Sequence, residues 1–456
     1  MSISDFSGRE RSDACPGALQ VHEAADGPLA RIRLPGGVIS PAQLRELAAC
    51  ATELGSGVIE LTSRANVQVR GLRAPAAFAG RMAAAGLLPS ATHERVRNIV
   101  ASPLGGRGHA GLLATRPLVE ALDRELCARP RLAELPGRFL FAFDDGTGDV
   151  AGLGADVTLA AEHRTGARLL LAGSDSGLTT RPESAASLMI SAAEAFLDER
   201  AAQAEARGAT RADCDMSADG GTPASTGAWR IRELENGPAR VAARLVDAVA
   251  GLGAPATSDS EVSPGFEVSP GFEVSPGFEV SPGFEVSPGF EVSPGFEVSP
   301  DFEVRRPRGL RRAGRHAQRD GRVALEALVP LGRLSAAQAR ALADVGDDVR
   351  LTPWRTVVVP DLSPAEADRA AEALDAAGLV TDPDSPWAGV TACTGRPGCA
   401  KSLADVQADA RRWVAGLDRA TDTPVHWAGC ARRCGLPRGR VVQMIATADG
   451  YREGRQ

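Results

Sequence analysis

Four cysteines near the end of the chain limit what it can become. They lie in Thr391-Ala-Cys393-Thr-Gly-Arg-Pro-Gly-Cys399 and His426-Trp-Ala-Gly-Cys430-Ala-Arg-Arg-Cys434, a C-x5-C and a C-x3-C pair thirty residues apart. Two tight loops that gather four thiolates suit an iron–sulfur cube. Zinc is the alternative, although structural zinc usually takes a shorter knuckle at least once. Unlinked core thiols are the bland reading. Cys15, Cys50, Cys127 and Cys214 have no comparable spacing and read as ordinary buried or incidental thiols.

The rest of the sequence favours a metal over disulfides. No apolar run approaches twenty residues, and the stretch from Met1 to Glu10 has no apolar signal core. These features predict a cytoplasmic chain without a membrane span, in a compartment where thiols stay reduced. The formal charge of −7 includes eight negative charges from a repeat described below, so the remainder is near +1. There is no basic run of the kind that binds nucleic acid. Lys401 is the single lysine among 51 basic residues. Any anion site must therefore be built from guanidinium groups, which grip carboxylates in a bidentate way.

Taken in order, residues 1–16 read as a disordered tail. Residues 17–86 form a small α+β unit: a strand from Leu29, a helix over 41–54 capped by Ser40-Pro41, two strands flanking Ser63 to Ala65, and a helix near 74–85. Residues 87–255 make a larger α+β segment with an apolar strand through Phe139, Phe141 and Phe143, and a flexible insertion at 207–227. Residues 256–305 hold seven copies of Glu-Val-Ser-Pro-Gly-Phe, the last with Asp301 for Gly. A six-residue period with Pro-Gly in nearly every copy excludes a helix and a central strand, and predicts an extended linker. The first unit's order returns at 306–382. Leu61-Thr-Ser-Arg64-Ala-Asn-Val matches Leu351-Thr-Pro-Trp-Arg355-Thr-Val, and both put an arginine at a hairpin. This is an internal duplication. The cysteine loops follow at 383–456.

These pieces together resemble the nitrite/sulfite reductase superfamily. The resemblance rests on Arg33-Leu-Pro-Gly-Gly-Val-Ile-Ser, Leu61-Thr-Ser-Arg64-Ala-Asn-Val-Gln68, Arg97-Asn98-Ile-Val, Leu135-Pro-Gly-Arg138-Phe and the four cysteines. It implies an α+β fold of duplicated ferredoxin-like half-domains plus two larger α+β domains for a cluster and a tetrapyrrole. Sulfite reductases carry Lys-Phe-Lys where this chain has Arg138-Phe139-Leu140. That departure, and the Gly-Cys430-Ala-Arg-Arg-Cys434-Gly-Leu-Pro loop, make the chain similar to the precorrin-3B synthase branch.

The resemblance implies an oxidoreductase, a monooxygenase of aerobic cobalamin biosynthesis that hydroxylates precorrin-3A with O2 and forms a lactone. It implies a 4Fe-4S cluster on Cys393, Cys399, Cys430 and Cys434. Substrate carboxylates would meet Arg64, Gln68, Arg70, Arg97, Asn98 and Arg138. Electrons would come from an external donor, NADH through a reductase or a ferredoxin. The O2 chemistry leaves room for a mononuclear non-haem iron, with His426 and Asp144 or Asp145 as candidate ligands, against the reading of His426 as a packed loop residue. Sirohaem belongs to the alternative, a nitrite or sulfite reductase.

Overall fold

The computed structural model describes residues 13, 15–212, 227–250, 290–292 and 313–455. Most of the expected tail, of the 207–227 insertion and of the repeat lies outside them. The chain forms two compact units, one within 112–306 and one from 15–111 with 307–456. Residues 87–111, read above as the start of the larger domain, thus fold with the half-domains.

The half-domain unit contains two five-stranded sheets. In the first, His22–Ala24, Gly27–Ile32, Val67–Val69 and Val58–Leu61 come from the first copy, and the edge strand Arg333–Ser335 comes from the second. In the second, Gly314–Ala317, Val323–Leu328, Thr356–Leu362 and Val349–Leu351 come from the second copy, and the edge strand Val38–Ile39 comes from the first. Arg333 pairs with Glu60 and Leu334 with Ile59, while Val349 pairs with Ile39 and Arg350 with Val38. Each copy thus supplies the strand that closes its sibling's sheet.

Sequence patterning explains why the copies fold alike. The helices Pro41–Leu54 and Ala336–Asp344 both start with a capping box, Ser40 with Gln43 and Ser335 with Gln338. Before each box comes a tight turn with positive φ, at Gly36 (64°) and Gly37 (73°) in one copy and Leu331 (55°) and Gly332 (69°) in the other. The hairpin turns match too, with Ala65 at φ 56° and Arg355 at φ 62°. Their shared backbone geometry makes Ala65 the counterpart of Arg355. The pairing of Arg64 with Arg355 suggested by the sequence is therefore displaced by one residue, and Arg64 aligns with Trp354. The apolar faces of both copies merge into one core that includes Leu44, Leu47, Ile59, Phe78, Leu334, Leu342, Val357 and Leu374.

A four-stranded sheet follows the second copy: Val390–Ala392, Val425–Ala428, Val442–Thr447 and Gly450–Arg455, with the helix Val406–Val414 against it. The first three strands run parallel and the last is antiparallel. None of these strands was read from the sequence.

The unit within 112–306 has hydrogen-bonded neighbours in the order Phe290–Val292, Ser174–Thr180, Gly166–Leu171, Val157–His163, Phe141–Asp144. The apolar strand expected to run through Phe139 begins at Phe141. Phe139 meets Phe141 edge-on at 5.1 Å and Phe196 at 4.9 Å. The helix Ala185–Ala212 runs into the first residues of the expected insertion at 207–227. Within the repeat, Phe290–Val292 forms an edge strand rather than unstructured linker. These three residues lie between one Pro-Gly and the next Ser-Pro, so a single short strand escapes the proline block only at an edge.

Candidate metal centre

Two of the four cysteines leave the ends of adjacent parallel strands. Cys393 follows Val390–Ala392, and Cys430 lies two residues beyond Val425–Ala428. The Cys393 amide continues the ladder by donating to the Trp427 carbonyl at 2.9 Å. The two cysteine loops are tied together. The Leu403 amide donates to the Gly429 carbonyl at 2.8 Å, and the Gly429 amide donates to Cys393 Sγ at 3.2 Å. A Cβ on Gly429 would lie 1.9 Å from Ser402 Oγ, so close approach requires glycine there.

Cys434 and Cys399 are near enough to Cys393 for their charges to act on it. Burial pushes the Cys393 thiol up; the Gly429 and Gly395 amides pull it down, and the Cys434 and Cys399 thiols add to the upward push. Such a thiol keeps its proton until a metal replaces it. Four soft sulfur donors with backbone amides turned toward one of them fit an iron–sulfur cluster.

His426 is buried in the strand Val425–Ala428, and its Nδ1 lies 2.9 Å from Thr391 Oγ1. Burial, then the Arg355 guanidinium, push its pKa down to about 4. The ring is therefore neutral near pH 7. This matches the packed reading, now in a strand rather than a loop.

The first half-domain reaches the cysteines through Arg70. Its guanidinium holds Asp26 with two hydrogen bonds of 2.8 and 2.9 Å, and its Nη2 donates to the Gly398 carbonyl at 2.6 Å. Gly398 precedes Cys399, and a Cβ on it would lie 2.7 Å from Thr394 and 3.0 Å from Asp26. Arg70 thus holds the C-x5-C loop, a role the sequence did not suggest. Neither Asp26 nor Glu60 stood out in the sequence, because their meaning depends on which strands pair.

One row across the first sheet is polar: Arg31, Gln68, Glu60 and Arg333 are cross-strand neighbours. Arg31 donates to Gln68 Oε1, Gln68 donates to Glu60, and Arg333 pairs with Glu60 at 2.5 Å. Gln68 is therefore a link in this row. Asn98 donates to the Arg95 carbonyl at 3.3 Å and accepts from Asn66 at 3.1 Å, which fixes its turn. Arg97 is buried. Arg64 begins the turn before Ala65, its amide donating to Thr62 Oγ1.

Arg138 lies in the other unit, 5.0 Å from the centre of the Trp229 ring. Leu140 beside it is buried, and its amide donates to Asp156 at 2.9 Å. Asp144, offered as an iron ligand, is corrected. Its two oxygens accept the amides of Gly146, Gly148, Val150 and Ala151 at 2.8–3.0 Å, so all four acceptor positions are filled. Asp145 caps Thr147. The carboxylates of Asp144, Asp145 and Asp149 lie within 4.8 Å of one another as parts of this loop.

Comparison with known proteins gives these geometries a context. Residues 22–77 and 316–377 match the nitrite/sulfite reductase ferredoxin-like half domain. The ferredoxin–nitrite reductase of Synechococcus elongatus is 35% identical over 126 residues, 26% of this chain and 25% of that protein. The chain thus aligns with about a quarter of that relative's length. The precorrin-3B synthase of a Sinorhizobium species is 24% identical over 452 residues, 97% of this chain and 82% of that protein. The structure of the Mycobacterium tuberculosis NirA protein superposes with a TM-score of 0.61 at 20% identity, covering 94% of this chain and 73% of that one. Among the described residues, no helix is long and apolar enough to cross a membrane.

Proposed function

We propose that this chain, built on two nitrite/sulfite reductase ferredoxin-like half domains, is an O2-dependent oxidoreductase of the precorrin-3B synthase type. It would hydroxylate precorrin-3A and close a lactone. The observation that carries this reading is extent. Similarity to a precorrin-3B synthase runs over 97% of the chain, whereas similarity to the Synechococcus nitrite reductase stops at 26%. The buried, apolar Leu140 adds support, because it offers nothing to a small oxyanion.

Cys393, Cys399, Cys430 and Cys434 would hold a 4Fe-4S cluster. When bound, that cluster supplies electrons one at a time. The chain's own residues do the rest. Arg70 fixes the first cysteine loop through the Gly398 carbonyl. Arg64 and Arg97 would bind carboxylates at the rim of a flat macrocycle and orient it. The neutral His426 is hydrogen-bonded to Thr391 in the strand that leads to Cys393. A ferredoxin-type donor, or NADH through a reductase, would deliver the electrons.

The test is anaerobic purification, iron and sulfide counts, an optical spectrum, and then precorrin-3A with reductant and O2. About four irons per chain without haem bands, together with O2-dependent gain of one oxygen by precorrin-3A, is the expected result. Sirohaem bands with nitrite or sulfite turnover would overturn the synthase reading, and zinc without iron would overturn both enzymes.

The Arg70 clamp has its own readout. Arg70→Met removes a charge-assisted hydrogen bond of the kind worth about 1.5–3 kcal/mol. Iron loss to a chelator is expected to speed up about tenfold or more. An unchanged rate would show that the loop holds itself.

A further inference from the structure

Each half-domain copy sends one arginine toward a different cysteine loop. Arg70, which follows the first copy's strand Val67–Val69, holds the C-x5-C loop through the Gly398 carbonyl. Arg355, in the second copy's hairpin between Val349–Leu351 and Thr356–Leu362, reaches the C-x3-C loop. Its Nη2 would lie 3.0 Å from a Cβ on Gly435, the residue after Cys434. The same Cβ would lie 3.9 Å from His426 Cε1, so guanidinium, imidazole and loop meet there. Two glycines make room for this side chain, because a Cβ on Gly332 would lie 2.5 Å from Arg355 Cδ. Arg355 itself takes φ 62°, a backbone conformation that an arginine rarely adopts. Ala65 holds the matching position of the first copy at φ 56°, so the turn alone does not call for an arginine.

The charge brought to this loop is not neutralised. Burial pulls the Arg355 pKa down, and among the described residues Glu60 is the one charge that offsets this. Glu60 is itself taken by Arg333 and Gln68. His426 beside the guanidinium is uncharged near pH 7. A guanidinium nevertheless keeps its proton in a protein. Arg70 spends its fork on the carboxylate of Asp26, whereas Arg355 leaves its positive charge to act on the loop it faces.

We infer that Arg355 is a positioning residue that sets the reduction potential of the metal centre: its cation, seated against the C-x3-C loop, stabilises the reduced form of the cluster and so eases its filling by an external one-electron donor. Four thiolates already concentrate negative charge, and an added electron increases it. A fixed positive charge in a medium of low dielectric lowers the energy of that electron. The potential of an iron–sulfur cluster follows its charge surroundings, the hydrogen bonds to its sulfurs and its exposure. The Gly429 amide supplies a hydrogen bond at Cys393, and Cys434 is exposed; Arg355 supplies the charge. The inference rests on the cluster proposed above.

The test is a redox titration of the cluster-loaded chain, followed by electron paramagnetic resonance, for wild type, Arg355→Met, Arg355→Lys and Arg432→Met. Iron and sulfide are counted first. R355M is expected to load normally and to need about ten times as high a ratio of reduced to oxidised donor, a potential about 59 mV lower for one electron. R355K keeps the cation and should stay close to wild type. Arg432 is exposed in the same loop, so R432M should shift less, and added salt should erase its shift while leaving that of R355M. An R355M potential equal to that of wild type would overturn the role. So would an R355K potential as low as that of R355M, because shape rather than charge would then matter. Iron loss in R355M would overturn it as well, by making Arg355 a support for the loop. A wild-type chain without iron would instead remove the cluster reading, whereas full iron with an unmoved potential removes the role of Arg355 alone.

Discussion

Replacing Cys393 with serine is expected to empty the metal centre. Iron should fall from about four per chain to near zero, as expected when a cubane loses one of four thiolates, and O2-dependent turnover should vanish with it. Cys393 is the most informative of the four to change. It receives the Gly429 amide at 3.2 Å, and its own amide continues the parallel ladder to Trp427. Serine preserves the backbone and the size of the side chain but replaces a soft sulfur with an oxygen. The strands Val390–Ala392 and Val425–Ala428 should therefore persist, and circular dichroism should change little. Cys50 offers the control. It is buried in the helix Pro41–Leu54, with its thiol pushed up to about 11, mainly by burial. Cys50→Ser should leave the iron count alone. Full iron retention in Cys393→Ser would refute the assignment.

The second large effect is expected at Gly37. It has φ 73°, and a Cβ there would lie 2.0 Å from the Leu351 carbonyl oxygen. Leu351 ends the strand beside Val38–Ile39, so the clash would fall where one copy's turn meets the other copy's sheet. Left-handed backbone costs a non-glycine residue about 1–2 kcal/mol, and forcing a methyl into close-packed backbone adds about 1–3 kcal/mol. Gly37→Ala should therefore lose about 3 kcal/mol or more in denaturant unfolding. Gly57→Ala separates the two contributions. Gly57 has φ 80° and nothing within 4 Å of its virtual Cβ, so it should lose only the conformational part, about 1 kcal/mol. Equal losses at the two positions would mean that the turn shifts without resistance.

What could be read from the sequence was whatever repeats or carries a local signal. Ser40 and Ser335 announce their helices through capping boxes, and the helix Pro41–Leu54 begins and ends where its pattern predicts. The cysteine spacing singled out the two loops that would hold the proposed cluster. The half-domains were legible because turns, caps and strand alternation recur in one order. Short elements escaped. Val38–Ile39 has two residues and Arg333–Ser335 three, too few for a period to register. The strand before Cys393 is equally short. Roles that depend on distant partners also escaped. Arg70 looked like a ligand arginine until Asp26 and Gly398 were seen to occupy it, and Arg355 was one hairpin arginine among fifty until Gly332 and Gly435 were seen to frame it.

The reciprocal edge strands make this unit the equivalent of a homodimer fused into one chain. A solitary copy would expose the strand Val58–Leu61 or Val349–Leu351 as an open edge, an invitation to pair with another molecule. Each copy therefore acts as the other's chaperone, shielding that edge as it folds. The same arrangement restrains divergence. A substitution at Gly37 is tested against the sibling copy's backbone at Leu351, and one at Glu60 against the sibling's Arg333. The copies are free to drift apart over most of their length but must change in concert along these two seams.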